Sequence, residues 1–306
     1  MKIAIVLCTF NRLECLKIAL QKYEDQTVKP DFVVIVNNAS TDGTRAYLNN
    51  WQEKSASFEK IIIHNKENLG GAGGFSIGIE AAKKLDCDYI FLADDDAYAE
   101  REMLEELHKA EAYLSSKQIN VVALCTAIYN GSEHELSHRC NVKQGIFNVK
   151  FAWMPEKMYS KKLFEVDIFT FVGACIKKSI VEKIGLPKMQ YFIYFDDADY
   201  CMRIRQHGGI YCVTNSVMHH DIGHDRRNSW KDYYDTRNWI DLVKTYFPTR
   251  NVFGAAVKMY VKRCSVLAKI FRSRDREHRH MCWIAIQDGL NGRLGIHEVY
   301  KPGVGM

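Results

Sequence analysis

The stretch that decides the fold reads Tyr89-Ile90-Phe91-Leu92-Ala93-Asp94-Asp95-Asp96. Its five apolar residues include aromatic and branched side chains, and so short a run predicts a buried β-strand rather than a helix. The three carboxylates that follow repel one another at neutral pH, so a positive charge is expected beside them. Because no Lys or Arg follows until Arg101, a hard divalent cation with oxygen ligands is favoured over an Arg or Lys network.

The bulk composition describes a globular chain. At 306 residues, of which 47% are hydrophobic, the chain is long enough to bury a large core. The formal net charge of +5 is concentrated between residues 258 and 279, so it is weak evidence for a nucleic-acid partner and we predict none. No segment approaches the roughly 20 apolar residues of a membrane span, and we recognise no signal peptide.

Ten cysteines are scattered singly, without a Cys-x-x-Cys pair, so a zinc site is not expected. Several lie within apolar runs, which is typical of proteins from a reducing cytosol. We therefore predict a cytoplasmic protein, either fully soluble or bound peripherally to the inner face of the plasma membrane. The sequence indicates no oligomeric state.

Apolar runs and helical patterns alternate through the first half of the chain. Strands are predicted over Lys2–Thr9, Asp31–Val36, Ile61–His64 and Tyr89–Ala93, and helices over 13–23, 42–53 and 74–86. This βαβαβ order predicts an α/β fold with a mostly parallel sheet that helices cover on both faces.

A polar turn follows each predicted strand. The turns span Thr9–Arg12, Asn37–Thr44, Asn65–Gly74 and Asp94–Asp96. Because ligands of parallel sheets bind beyond the carboxyl ends of the strands, we expect the four turns to form one site.

The turn Asn68–Phe75 holds four glycines within five residues, between Gly70 and Gly74. Four glycines cost considerable backbone entropy on folding. We therefore expect that a positive φ, or the close approach of another group to the backbone, requires them. With a helix predicted next, the backbone amides are placed to bind a phosphate at the helix N-terminus. The spacing fits neither the P-loop nor the dinucleotide-binding fingerprint, and a flexible loop is the alternative.

Together, the four turns resemble those of the family 2 inverting glycosyltransferases. The resemblance rests on Thr9-Phe10-Asn11-Arg12, on the turn Asn38–Thr44 (Asn-Ala-Ser-Thr-Asp-Gly-Thr), on the glycine turn and on the triple Asp. That family has the GT-A fold, a Rossmann-like α/β architecture, and uses a nucleotide-diphosphate sugar with Mn²⁺ or Mg²⁺. The pattern is most similar to the bacterial galactofuranosyltransferase and rhamnosyltransferase group, over residues 2–245.

The resemblance implies residues that bind the nucleotide-sugar donor and its cation. The donor-binding set is Thr9, Asn11, Arg12, Asn37, Asn38, Asn68, Gly70, Gly71, Gly74, Asp95 and Arg237. The metal set is Asp94, Asp96 and His219, with His220 as the alternative to His219 and His224 as a weaker candidate for contact with the diphosphate. Many relatives carry Asp at the position of Asn37, which meets the nucleobase. An Asn amide still pairs with a pyrimidine edge, so uridine is favoured over thymidine. Spacing alone does not fix the role of Asp95.

The second half contains another acidic motif, Phe195–Arg203. From the residues alone, Asp196 and Asp197 equally suit the first turn of a helix, where the macrodipole stabilises carboxylates, and Asp199 with Arg203 suits an i,i+4 ion pair. The resemblance implies that Asp197 is the general base for the acceptor hydroxyl and that Asp196 contacts the acceptor. Arg237, in the signature Tyr-Tyr-x-x-Arg-Asn at 233–238, is implied to serve the diphosphate or to organise the site.

Two segments of the second half are less defined. Residues 127–168 alternate aromatic and charged side chains, which favours hairpins or an acceptor-side loop. Ile168–Lys177 predicts a further buried strand, whose small Gly173 and Ala174 allow either the substrate or a helix to lie against it.

From Val252 onward, apolar residues on one helical face are interleaved with Lys and Arg. A basic amphipathic helix over 252–280 predicts contact with an anionic membrane surface, and packing on the catalytic domain is the alternative. The chain is thus predicted to divide into a GT-A catalytic domain (1–245) and a basic helical extension (246–306). Within the domain, residues 1–125 are expected to bind the nucleotide and 126–245 to bind the acceptor and carry the base.

The expected activity is inverting transfer of galactofuranose from UDP-galactofuranose to a hydroxyl of a growing surface glycan, lipid-linked or free. Rhamnose transfer from dTDP-rhamnose is the first alternative, and a non-catalytic nucleotide-sugar-binding protein is the second. A nucleotidyltransferase is disfavoured, because Thr9–Arg12 lacks the glycine-rich basic motif expected of that class. The sequence indicates neither the acceptor nor the linkage.

Overall fold

The computed structural model describes residues 1–220, 230–264 and 276–302. The described strands are β1 (Ile3–Thr9), β2 (Phe32–Asn37), β3 (Glu59–His64), β4 (Tyr89–Asp94), β5 (Ala97–Ala99), β6 (Val121–Asn130), β7 (Glu133–His134), β8 (Arg139–Gln144), β9 (Val149–Trp153), β10 (Leu163–Val166), β11 (Ile168–Phe169), β12 (Ala174–Lys177) and β13 (Gly209–His220). The α-helices are α1 (Leu13–Glu24), α2 (Thr44–Glu53), α3 (Gly70–Ala82), α4 (Met103–Ser116), α5 (Lys178–Ile184), α6 (Asp196–Ile204), α7 (Lys231–Tyr246), α8 (Thr249–Met259) and α9 (Arg276–Asn291). A π-helical turn, Tyr260–Cys264, follows α8.

One central sheet contains most of the strands, in the order β10-β13-β6-β12-β4-β1-β2-β3. β1 pairs in parallel with β2 and β4, and β2 pairs in parallel with β3, so the N-terminal half forms the parallel block that the alternation predicts. β12 runs antiparallel to both β4 and β6, whereas β13 is parallel to β6. The predicted α/β class is confirmed.

Helices cover both faces of the sheet. Side chains along a strand alternate between the two faces, so a strand that is apolar throughout needs a helical layer on each side. Along β1, Ala4 and Val6 belong to the core under α3, whereas Ile5 and Leu7 belong to the core under α1 and α4. Both sets are fully buried. This two-sided burial explains why the sequence of β1 is almost continuously apolar.

The glycine turn forms the first turn of α3, because the helix begins at Gly70 rather than near residue 74. Gly74 and Gly78 lie directly against β1. A Cβ on Gly74 would overlap with Cys8 Sγ, and one on Gly78 would overlap with Val6 Cγ1. These glycines therefore let the helix approach the strand closely.

The prediction of one buried strand over Ile168–Lys177 is wrong. The chain forms two short strands, β11 and β12, separated by a bend that includes Gly173, whose φ is +74°. A Cβ at Gly173 would overlap with Oγ1 of Thr126 on β6, so packing against a strand requires this glycine. Of the two alternatives expected within 127–168, hairpins or an acceptor-side loop, the structure shows a hairpin, since β8 and β9 pair antiparallel and join β11 in a second sheet.

The last described helix, α9, packs along α7. The Tyr233 hydroxyl donates to Asp288 at 2.7 Å, and a Cβ at Gly289 would lie 2.6 Å from the Arg237 carbonyl oxygen. The predicted domain boundary at residue 245 falls one residue before the end of α7. Of the basic helix predicted over 252–280, residues 265–275 lie outside the described residues. No helix in the described ranges is long and apolar enough to cross a membrane.

Candidate active site

Asp94, Asp96 and His220 come together at the edge where the parallel strands end. Asp94 is the last residue of β4, Asp96 follows in the turn to β5, and His220 ends β13, where it pairs with Ala97 of β5. One possible ligand atom from each residue lies within 4.8 Å of the other two. Two carboxylates and an imidazole at this spacing suit a divalent transition-metal ion such as Mn²⁺.

The histidine in this cluster is His220, which corrects the sequence-based choice of His219. Neighbouring residues of a strand point to opposite faces of the sheet, so only one of the two reaches the carboxylates. Nε2 of His219 instead lies 2.9 Å from Oε1 of Glu100, and its ring lies 5.8 Å from that of Tyr129. His224, the weaker candidate, lies outside the described residues.

A buried histidine orients His220 from behind. Nε2 of His138 lies 3.3 Å from Nδ1 of His220, and Nδ1 of His138 lies 2.6 Å from Oγ1 of Thr170. Burial and the neighbouring Arg139 lower the pKa of His138 well below its ordinary value, so its ring is neutral. If Nδ1 of neutral His138 donates to Thr170, its Nε2 carries no hydrogen and accepts from Nδ1 of His220. Nε2 of His220 then remains for Asp96, whose Oδ1 lies 3.3 Å away.

An arginine remote in sequence also compensates the carboxylates. Arg12, in the turn after β1, donates Nη1 to Oδ2 of Asp96, and Nη1 also lies 3.5 Å from Oδ1 of Asp95. The arginine network considered as the alternative to a cation therefore exists. It was not visible near the triplet because β1 and β4 are neighbours in the sheet but distant in the chain.

Burial changes the protonation of the triplet. Burial, with repulsion from Asp96, raises the pKa of Asp94 to about 6, and burial, with repulsion from Asp94, raises the pKa of Asp95 to about 7. For Asp96, burial raises the pKa, but His220 and the charge of Arg12 outweigh burial and lower the pKa overall. Asp95 Oδ2 is buried and accepts no hydrogen bond from the described residues, whereas Asp96 Oδ1 lies 3.3 Å from Nε2 of His220. A buried carboxylate oxygen without a donor fits a hard cation.

The acidic pair Asp196 and Asp197 opens α6 beside the triplet. Burial raises the pKa of Asp197 to about 6. Burial, with repulsion from Asp197 and then from Asp94, raises the pKa of Asp196 well above its ordinary value. Repulsion from Asp197 also contributes to the raised pKa of Asp94, so the two acidic motifs share one electrostatic environment.

The next carboxylate of the same helix, Asp199, anchors α6. The predicted i,i+4 ion pair is confirmed, since Oδ2 of Asp199 lies 3.1 Å from Nη2 of Arg203. Nζ of Lys188 lies 2.9 Å from Oδ1, and the Tyr246 hydroxyl donates to the same oxygen at 2.9 Å. Asp199 is fully buried and paired, so its role is structural.

The segment before α6 has a strained backbone. Phe192, Tyr194 and Phe195 have φ values of +65°, +68° and +66°, in the left-handed region that side chains with a Cβ rarely adopt. Asn238 holds this segment, since its amide nitrogen lies 2.9–3.0 Å from three carbonyl oxygens within 191–194. The side chain of one asparagine thus stabilises the backbone that presents the acidic pair.

Arg237 belongs to the same clamp. Its guanidinium group is buried, and it donates to the carbonyl oxygens of Gln190 and Tyr191 at 3.2 Å and of Gly295 at 2.5 Å. Of the two roles that the resemblance implied, this geometry is that of a residue that organises the site. The signature Tyr-Tyr-x-x-Arg-Asn therefore holds the strained segment and the residues around Gly295 together.

Asn38 and Asn68 fix the glycine turn against β2. Asn38 donates Nδ2 to Oδ1 of Asn68 at 2.9 Å and accepts from the amide of Leu69 at 3.0 Å. Oδ1 of Asn68 also accepts from the amide of Gly70 at 2.8 Å. These two side chains connect the predicted donor-binding turns by hydrogen bonds within the protein.

Asn37 and Asn11 shape the turn that the sequence expects beside the nucleobase. The Asn37 side chain is buried, with Oδ1 accepting from the Ser40 amide at 2.9 Å and Nδ2 at 3.1 Å from Nδ1 of His64. Oδ1 of Asn11 accepts from the Thr41 amide at 2.7 Å. Both side chains have protein partners in this structure, so they define the shape of the turn.

The glycine turn touches the strained segment. Gly70 has φ +71°, and a Cβ there would overlap with the carbonyl oxygen of Phe192, to which the Ala72 amide donates at 3.1 Å. No atom lies within 4 Å of the place where a Cβ on Gly71 would be. The amides of Gly70 and Ala72 thus have protein acceptors, which leaves less of the helix N-terminus for a phosphate than the sequence predicts.

A pocket of about 310 Å³ lies between these elements. Residues from each predicted donor motif line it: Thr9, Arg12, Asn38, Asn68, Gly70, Gly71, Asp94 and Asp95. Trp230 and Lys231 also line it, and the sequence analysis did not single them out although only Asp232 separates them from the Tyr-Tyr signature. Burial and the charge of Arg12 lower the pKa of Lys231, so the two basic side chains lie close enough at the pocket to repel each other.

Comparisons with known proteins find relatives among the glycosyltransferases. The model of the family described as "Glycosyl transferase family 2" matches residues 4–185, more than half of the chain. The chain is 23% identical to galactofuranosyltransferase GlfT2 of Mycolicibacterium smegmatis over 292 residues, which cover 85% of this chain but only 44% of that relative. It is 20% identical to dTDP-rhamnosyl transferase RfbF of Shigella flexneri, over 95% of this chain and 96% of the relative.

A likeness to a solved structure shows the fold. The crystal structure of GalNAc-T7 with UDP, GalNAc and Mn²⁺ superposes with a TM-score of 0.64 at 13% identity, covering 95% of this chain and 56% of the other. The predicted GT-A architecture is confirmed.

Asp95→Asn is expected to stabilise the protein more at pH 7.5 than at pH 5. The pKa of Asp95 is 3.8 as an unperturbed side chain and about 7 in the fold, so ionisation of this carboxyl group destabilises the fold increasingly as the pH rises between these two values. Asn mimics the protonated acid, so the gain in stability is expected to be about 2 kcal/mol larger, several degrees in Tm, at pH 7.5 than at pH 5. Thermal unfolding at both pH values measures the effect. A lower Tm for the variant at pH 7.5 would contradict the electrostatic assignment.

Proposed function

Since the chain belongs to glycosyl transferase family 2, we propose that it is a metal-assisted inverting enzyme that transfers galactofuranose from UDP-galactofuranose to a hydroxyl of a growing surface glycan. The observation that carries this proposal is the convergence of two acidic motifs at one edge of the sheet: Asp94–Asp96 with His220, and Asp196–Asp197. The first motif suits a cation that binds a diphosphate, and the second suits a general base. Glycosyl transfer to a hydroxyl uses both.

The donor would occupy the pocket beside the triplet. Arg12 and Lys231 line this pocket and would pair with the diphosphate, and Gly71 leaves space for close approach. The turn shaped by Asn37 would receive the uracil. The name of GlfT2 supports galactofuranose, whereas the match to RfbF over almost the whole of both chains keeps rhamnose from dTDP-rhamnose as the second candidate.

Asp94, Asp96 and His220 would hold the cation, with Mn²⁺ favoured over Mg²⁺ because one ligand is an imidazole. The donor set fits, since Oδ2 of the neighbouring Asp95 is buried without a hydrogen-bond partner among the described residues, and Oδ1 of Asp96 faces Nε2 of His220, itself a proposed ligand. When bound, the cation acts as a Lewis acid that stabilises the leaving nucleoside diphosphate.

Asp197 would accept the proton of the acceptor hydroxyl as the new glycosidic bond forms on the face opposite the leaving group. Attack from that face inverts the anomeric carbon. The pKa of Asp197, about 6, leaves the group ionised at neutral pH and still basic enough to accept a proton. Asp196 has a pKa raised well above its ordinary value and would donate a hydrogen bond to the acceptor in its protonated form.

The two halves of the domain would divide this work. Residues 1–125 would bind the nucleotide and the cation, and 126–245 would bind the acceptor and supply the base. The enzyme would act in the cytoplasm and bind peripherally to the inner face of the plasma membrane through 252–280, where a lipid-linked acceptor is located. A non-catalytic nucleotide-sugar-binding protein would have no use for a buried base beside the donor site.

Asp197→Asn is expected to lower sugar transfer by about 10²–10⁴, because the amide cannot accept the acceptor proton. UDP and Mn²⁺ binding, measured by calorimetry, should remain within a fewfold of the wild type. In the wild type, kcat/KM should rise with pH through about 6, as Asp197 becomes ionised, and then level off. Transfer that survives the substitution, or a loss of nucleotide binding together with transfer, would exclude Asp197 as the base.

His220→Ala is expected to weaken Mn²⁺ binding at least about tenfold, because it removes one of three ligands. His219→Ala is the matched control, since the neighbouring side chain contacts Glu100 instead. Titration of Mn²⁺ followed by electron paramagnetic resonance measures both affinities without turnover. Equal affinities for the two variants, or a larger loss for His219→Ala, would contradict the assignment.

A further inference from the structure

An exposed apolar surface lies where the β8–β9 hairpin meets α8. Ile146 and Phe147, in the turn between the strands, are 71% and 59% exposed, and Phe253 on α8 is 66% exposed. Bulky apolar side chains from two neighbouring elements that remain in contact with water are unusual on a monomer and indicate an interaction site.

The two elements are fixed to each other, so they form one surface. Asn251 donates Nδ2 to the Gly145 carbonyl oxygen at 2.9 Å and accepts from Nε2 of Gln144 at 3.2 Å. Gly254 lets the hairpin backbone lie directly on the helix, because a Cβ there would overlap with the carbonyl oxygen of Phe147. The position of the hairpin turn relative to α8 is therefore defined by hydrogen bonds and packing.

The apolar side chains continue along one face of the helix. Phe253, Val257 and Tyr260 follow helical spacing, and the last two are also exposed. The Tyr260 ring lies 5.8 Å from the ring of Trp283, which is itself exposed. Aromatic residues of this kind are enriched where proteins meet the polar boundary of a bilayer.

Lysines border this face. Lys143 and Lys150 lie directly opposite each other in the hairpin, and Lys258 and Lys262 lie one turn apart on the helix. Besides burial, the charges of Lys262 and Lys150 lower the pKa of Lys258, so the hairpin and the helix bring their cations close together. None of the four forms an ion pair with a carboxylate among the described residues. Like charges at this spacing repel, and an anionic partner would relieve that repulsion.

We propose that the hairpin turn and the exposed face of α8 form one docking surface for an anionic lipid bilayer. The apolar side chains would enter the boundary between headgroups and acyl chains, and the four lysines would meet lipid phosphate groups. The combination of an apolar centre with four bordering lysines favours an anionic bilayer over an uncharged protein partner.

The docking surface adjoins the acceptor side of the site. Phe151 of β9 follows Phe147 by four residues, roughly 13 Å along an extended strand. Its ring lies 6.5 Å from that of Phe195, which directly precedes the acidic pair. Docking would therefore bring Asp197 near the bilayer. This last step rests on the proposed function, and it specifies an acceptor attached to a membrane lipid.

Co-sedimentation of the full chain with vesicles tests the docking surface. The wild type should bind vesicles of phosphatidylcholine mixed with phosphatidylglycerol, and it should bind far more weakly to vesicles of pure phosphatidylcholine. Ile146→Asp/Phe147→Asp should lower binding at least about tenfold, because both side chains lose their apolar burial. Lys150→Glu/Lys258→Glu should lower it roughly fivefold for each lysine, with the effect diminishing at high salt.

Two matched controls carry the same chemistry on other surfaces. Ile18→Asp/Tyr113→Asp changes exposed apolar residues of α1 and α4, and Lys22→Glu/Lys54→Glu changes exposed lysines. Both controls should bind vesicles like the wild type, and thermal unfolding checks that every variant folds.

Three results would overturn the docking surface. The first is no binding of the wild type to anionic vesicles, and the second is equal binding by the variants and the controls. The third is a dimer, seen by light scattering without lipid, that dissociates when Ile146→Asp/Phe147→Asp is introduced. The last result would assign the surface to a second copy of the chain. The assay contains no sugar nucleotide and no cation, so its failure is distinct from a failure of the proposed transfer reaction.

Discussion

Five carboxyl groups, two buried and three half-buried, lie at one edge of a sheet and impose the constraint on which the rest of this structure depends. They are Asp94, Asp95, Asp96, Asp196 and Asp197. In surroundings of low polarity, like charges so close together cannot all be ionised unless cations or donors oppose them. The protein opposes them with Arg12, with His220 and with the N-terminus of α6, each from a different part of the chain. Such an arrangement is unfavourable for stability alone, which is why we assign it to a cation and to proton transfer.

A second constraint holds the acidic pair where the first requires it. Three residues before α6 have left-handed backbone conformations without being glycine, and Arg237 and Asn238 stabilise them through carbonyl oxygens. Gly70 is small enough to let the Phe192 carbonyl oxygen approach α3, which joins the segment before α6 to the glycine turn. Strain of this kind persists only where surrounding contacts compensate it, and it commonly marks a functional site.

Much of the fold and of the site could be predicted from the sequence, and the failures have physical causes. Continuous apolar runs followed by polar turns sufficed for the parallel block, because in such sheets the strand ends meet at one edge. Arg12 was not associated with the triplet because strand order, not chain distance, brings β1 beside β4. His220 could not be chosen over His219 because β13 has a register irregularity between Val213 and Val217. Beyond such an irregularity, the alternation of side chains along the strand no longer predicts which face of the sheet a residue points to. The spacing of nearby residues also cannot reveal that Trp230 and Lys231 line the pocket, because the fold brings them beside residues from the first half of the chain.

If the cation and the two acidic motifs act together in sugar transfer, the protein should release nucleoside diphosphate from its donor only when the cation is present. This can be measured with UDP-galactofuranose and with dTDP-rhamnose, each in the presence of Mn²⁺ and of a chelator. We expect UDP release from UDP-galactofuranose that is faster with an acceptor glycan and lost with the chelator. Turnover that is unaffected by the chelator, release of pyrophosphate, or no release from either donor in the presence of Mn²⁺ would exclude this mechanism.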